Sequence, residues 1–174
     1  ILILLPFLLL TTVLASAQTD KKQAELKKLE TSLATAKAKV ALNERQLAKS
    51  DSLITLGTQM IAESKAENKA IEADRKILDK ENAVNQKPLT KLSTSKDKEE
   101  AMKAKADLKA LDLQYKSDSK ALANRLKDAT KKNTTGNANL TRGKAGKKTA
   151  QDAMKISRKA LETAQEKYDN AIGS

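Results

Sequence analysis

Histidine and cysteine are absent from all 174 residues. That removes the side chains most enzymes use as general base, thiol nucleophile or transition-metal ligand. Carboxylates remain. Glu63, Glu67, Asp74 and Glu81 fall on one region of surface if their segment is helical. Such a group could hold a divalent cation weakly, but charged residues at this spacing are ordinarily a solvated face. The metal sites of four-helix carboxylate proteins need Glu-x-x-His, which cannot occur here. Gly143-Lys144-Ala145-Gly146-Lys147-Lys148-Thr149 has the residue types of a phosphate loop but only two residues between its glycines. A phosphate loop needs four there, and a strand ahead of them. Asn133-Thr134-Thr135 and Asn139-Leu140-Thr141 fit the glycan-acceptor pattern, which matters only in a eukaryotic secretory route. No enzymatic activity, cofactor or metal is expected from these residues.

The remaining chemistry is basic. Lys98, Lys105, Lys109, Lys116, Lys120, Lys127 and Lys131 recur at spacings of 7, 4, 7, 4, 7 and 4. At about 100° per residue they share roughly a quarter of a helix circumference, with no acid expected among them. The stripe would be about 50 Å long at helical rise. Arg142, Lys144, Lys147 and Lys148 follow it. Net charge is +3 over residues 18–87, +5 over 88–132 and +4 over 133–174. A stripe of point charges attracts polyanions by counterion release without reading sequence. Lipopolysaccharide, anionic lipid and acidic cell-wall polymer are the expected ligand class. Nucleic acid is disfavoured, since Phe7, Tyr115 and Tyr168 are the only aromatics and stacking platforms are therefore missing.

The elements that would carry these residues are helices. In residues 18–174, Leu, Ile, Val and Phe make up 25 of 157 positions, too few for an ordinary mixed core. Ala, Glu, Lys, Leu and Arg make up 87 of the same 157, the composition of long helices or coiled coils. Leu26, Leu33, Val40, Leu47, Ile54 and Ile61 recur every seven residues and are the expected helix-pairing seam. A second line three residues on runs Leu29, Ala36, Asn43, Ser50, Gly57, Ser64, Ile71 and Leu78. Its small and polar middle implies close packing, with Asn43 able to set register. After Ile61 the first line turns to Asn68, Arg75 and Asn82, so the seam is expected to shift there.

The expected organisation has six parts. Residues 1–17, an apolar run ending Ala15-Ser16-Ala17, read as a secretory signal peptide. Residues 18–87 form the long heptad-bearing helix, about 100 Å if unbroken. Residues 88–94 are a connector, because Pro88 pushes Lys87 out of the α region. Residues 95–132 form a basic amphipathic helix capped by Ser95. Residues 133–148, rich in Gly, Asn and Lys, read as a flexible loop. Residues 149–174 form a C-terminal helix that carries Ala150, Met154, Leu161, Ala164, Tyr168 and Ile172.

The fold class is therefore all-α, in a coiled-coil or extended bundle arrangement. The expected function is that of an exported structural or scaffolding protein of the cell envelope, not an enzyme. The alternative is a basic binding protein for anionic partners, or a holdase-like periplasmic chaperone. The expected partner is a second copy or another helical protein. The expected location is the periplasm, with the cell surface or exterior second.

Overall fold

The computed structural model describes the backbone of residues 6–173 and the side chains of residues 20–173. Residues 1–17, the segment expected as a signal peptide, lie outside the residues whose side chains are described. Two long helices packed together make up the fold: α1 (Pro6–Leu92) and α2 (Lys98–Gly173). Among the described residues there is no strand, and no helix is long and apolar enough to cross a membrane.

Contacts divide the chain into two units, Ile1–Ser52 with Gly143–Ser174, and Leu53–Arg142. In the first, Leu33, Ala36 and Ala164 are buried together, with Leu161 and Tyr168 packed against them. Ala150, Met154 and Ser157 are buried further along α2. In the second, Ser64, Ile71, Ala104, Leu122 and Ala129 are buried. Gly57 lies against Gly136, Ser64 bonds to Ala129 and Asp79 to Tyr115, so the helices run antiparallel there. The same sense holds in the first unit, where Asn43 meets Ser157.

The link is short. Asp97 caps α2, its Oδ1 accepting from the backbone N–H of Glu99 at 2.9 Å and of Glu100 at 3.3 Å. Ser95, expected as the cap, instead accepts from the Asp97 N–H at 3.2 Å. Asp97 is favoured because its charge also complements the positive helix end. The end of α1 is closed by hydroxyls: Ser93 Oγ donates to the Thr90 carbonyl and Thr94 Oγ1 to the Lys91 carbonyl.

Two expected breaks are absent. Pro88 lies inside α1, which continues to Leu92. It removes one backbone bond, one turn before the helix end, at a place where Val84 is 57% exposed and water can reach the freed carbonyl. Residues 133–148, expected as a flexible loop between two helices, are continuous helix within α2. Their polar side chains fold back on that helix. Thr134 Oγ1 donates to the Thr130 carbonyl and Asn137 Nδ2 to the Asn133 carbonyl, and just beyond them Thr149 Oγ1 donates to the Ala145 carbonyl. No described residue has positive φ, so the glycines are not turn residues. Gly57 and Gly136 are instead places where another backbone comes close.

Candidate functional site

The feature shared by the two helices is an inward-facing seven-residue line, made of small residues over much of its length. On α2, Ala101, Leu108, Tyr115, Leu122, Ala129, Gly136, Gly143, Ala150, Ser157, Ala164 and Ala171 follow one another every seven residues. Every one is buried or half-buried. On α1 both expected lines face inward. Leu26, Val40, Leu47, Ile54 and Ile61 are half-buried and Leu33 is buried. The second, smaller line is the deeper one: Ala36, Ser50, Gly57, Ser64 and Ile71 are all buried. The expected shift after Ile61 does not occur. Asn68 and Asn82 stay half-buried on the first line and Leu78 on the second, while Arg75 alone of these turns outward.

Small residues let the backbones approach until side chains bond across to main chain. Ser64 is fully buried, and its hydroxyl donates to the Ala129 carbonyl at 2.8 Å. Asn43 Nδ2 donates to Ser157 Oγ at 3.0 Å, and that hydroxyl donates to the Met154 carbonyl at 3.1 Å. These bonds satisfy polar groups that burial would otherwise penalise. They also fix which residue lies opposite which.

Ion pairs along the rim have one polarity: the acid is on α1 and the base on α2. Glu44 pairs with Arg158 and Asp51 with Lys147 in one unit. In the other, Arg125 bridges Glu67 at 2.8 Å and Asp74 at 2.7 Å, and Lys132 pairs with Glu63. Hydrogen bonds from Lys132 and then Gln59 hold the Glu63 carboxyl below its ordinary range. Asp74 and then Glu67 raise Arg125 further. Partial burial, then the nearby Glu30 carboxylate, pushes the Tyr168 hydroxyl up. Its OH reaches Glu30 at 3.3 Å. Each pair is partly exposed, so its worth is mainly in orientation.

Glu63, Glu67 and Asp74, the acids that spacing alone groups as a weak cation site, each face a cation of α2. Asn139, one of the two glycan-pattern asparagines, is half-buried with Nδ2 3.8 Å from Met60 Sδ. Grooves along the helix pair are open to solvent, such as the one between Glu63, Ala66, Ala70 and Asp128.

All seven stripe lysines are exposed. Lys116 is paired with Asp112 at 2.6 Å, so the stripe is not free of acids. None of the other six makes an ion pair among the described residues. Measured from the buried line, the lysines cross the outer side of α2 rather than following one edge. Lys98 and Lys105 sit one side, four residues past line positions, and Lys131 sits well round, two past Ala129. An eleven-residue spacing drifts against a seven-residue line.

The line on α2 was within reach of sequence reasoning. Its signal is the seven-residue recurrence of Ala, Gly and Ser from Ala129 to Ala171, which hydrophobic periodicity alone passes over. No family model matches this chain, and no curated protein or solved structure matches it either.

Proposed function

We propose that the protein is a non-enzymatic structural or scaffolding component of the cell envelope, exported and most at home in a periplasm. Its working part is an antiparallel coiled coil of α1 and α2, closed by the Ser93–Asp97 link. The observation that carries this reading is the unbroken seven-residue line from Ala101 to Ala171. A strict seven-residue recurrence over that length favours a left-handed supercoil, since a straight helix would drift by about 20° per heptad. A helix pair of this kind spaces and connects other parts. Cell fractionation tests the location, combined with sequencing of the mature N-terminus in the organism that makes the protein. Envelope recovery with a chain beginning at Gln18 is the expected result. An intact N-terminus in the cytosol would contradict it.

A second reading is favoured by the lysines. Six exposed, unpaired ammonium groups on α2 support a binding role toward an anionic envelope polymer or lipid. The two readings are compatible, because the lysines lie away from the seam.

A further inference from the structure

We propose that the outer side of α2 lies on the surface of an anionic lipid bilayer, with Met102 and Leu113 entering the headgroup layer between the stripe lysines. This rests on the second reading above and narrows its ligand to a membrane surface. Met102 and Leu113 are large and apolar, yet 72% and 59% exposed. Met102 sits four residues past Lys98 and seven before Lys109, and Leu113 four past Lys109 and seven before Lys120. They therefore repeat the spacing of the stripe and belong to it. At about 100° per residue the seven lysines span about 80° of the helix, and both apolar residues fall within that span. Ala106, also exposed, stands between them. Met102 is one residue past the line position Ala101, and Leu113 two before the line position Tyr115, so both lie on the side of α2 away from α1.

Charge and direction choose the occupant. Lys116 is paired with Asp112 at the edge of the stripe, and the other six lysines are exposed and outside the ion pairs of the described residues. Cations gathered on one helix face complement an anionic lipid surface. The path of the stripe fits a flat partner. In a supercoiled pair a face tied to the seven-residue line winds about the other helix. The lysine spacing instead averages about 3.67 residues per turn, close to the 3.6 of a straight helix. The stripe therefore keeps nearly one direction along α2, and a flat surface can touch it from Lys98 to Lys131. A flexible acidic polymer could follow a winding stripe equally well, and it has no apolar layer to receive Met102 and Leu113. A bilayer supplies both parts. Its phosphates meet the ammonium groups, and the acyl boundary takes the two apolar side chains and the lysine stems.

The chain has no tryptophan, so one introduced residue reports its own surroundings. The full chain carrying Leu113→Trp is mixed with vesicles of phosphatidylglycerol and phosphatidylcholine, and separately with vesicles of phosphatidylcholine alone. Emission is expected to move to shorter wavelength on the anionic vesicles only. Adding Lys105→Gln, Lys109→Gln, Lys120→Gln and Lys127→Gln is expected to remove the shift at physiological salt. Met102→Trp is expected to behave in the same way, and it carries the test if circular dichroism shows that Leu113→Trp has lost helix. Leu56→Trp, on α1 at a position 47% exposed, is expected not to shift. Equal shifts at Leu56 and Leu113 would overturn the proposed face, and an equal shift on phosphatidylcholine alone would overturn the role of charge. Retention of the chain on immobilised heparin reads polyanion binding by itself. Retention with no shift on anionic vesicles would overturn the membrane surface and leave the second reading standing. No shift and no retention would overturn both.

Discussion

A Cβ built on Gly57 would lie 2.6 Å from the carbonyl oxygen of Gly136 and 2.7 Å from the backbone nitrogen of Leu140. Both neighbours are main chain, so neither can rotate away. Gly57 costs about 1 kcal/mol of helix propensity relative to Ala, and the close approach of α1 to α2 is what that cost permits. Gly57→Ala is therefore expected to destabilise. Overpacking of about 1–3 kcal/mol outweighs the propensity gain. Gly146 provides the control. A Cβ there meets only the Ser50 side chain, with Oγ at 2.7 Å, and that hydroxyl can turn. Gly146→Ala is expected to be neutral or up to about 1 kcal/mol more stable. Urea unfolding followed by circular dichroism distinguishes the two. Equal stabilisation by both would mean that the helices are not this close at Gly57.

The dependence of stability on pH should be flat in the middle and fall at both ends. With no His and no Cys, no side chain has an ordinary pKa between about 5 and 9. Glu63 is lowered in the folded chain, so its contribution is full above the ordinary carboxylate pKa. It is lost as pH falls through the lower folded value. Tyr168 is raised, so its contribution is full below about pH 10 and is lost as pH rises through the folded value. Arg125, raised further, stays charged throughout. Melting temperature against pH is expected to lose part of its acid slope in Glu63→Gln and part of its alkaline slope in Tyr168→Phe. A transition centred near neutrality would contradict this assignment of groups.

The lysines of α2 make a separate prediction. Changing Lys105, Lys109, Lys120 and Lys127 to Gln keeps helix propensity and touches no ion pair. If these residues bind a polyanion, affinity for heparin or lipopolysaccharide should fall, and the log–log salt slope should become shallower by up to about 3–4 on a duplex-like polymer. Changing Lys27, Lys37, Lys65 and Lys159 to Gln removes the same charge from elsewhere. Equal losses from the two variants would show that net charge alone governs binding.

Much of the fold was legible. Composition gives an all-α protein, and the large apolar line from Leu26 to Ile61 gives the inward face of α1. Three features were not legible, each for a physical reason. Gly136, Gly143 and Gly146 read as loop by local propensity, yet all three lie within α2, and at Gly136 the approach of the Gly57 carbonyl makes small size more valuable than propensity. Pro88 reads as a terminator, yet it falls within the last turns, where losing one backbone bond is tolerable. The Arg125 bridge to Glu67 and Asp74 requires knowing which residues lie opposite, and the pairing of a chain with itself is not a local signal. The lysine stripe was legible as a pattern on a straight helix, but Lys116 and Asp112 pair within one turn.

The central claim is that α1 and α2 pair antiparallel within one chain. Ala66 and Asp128 line the same groove, although 62 residues separate them in sequence. Spin labels on Ala66→Cys and Asp128→Cys, diluted with unlabelled chain, read that separation by dipolar spectroscopy. Paired helices with axes about 8–10 Å apart give a narrow distribution, on the order of 10–25 Å once the label arms are included. A broad distribution, or one extending toward the ~90 Å of a single uninterrupted helix, would contradict the pairing on which the fold and the proposed role depend.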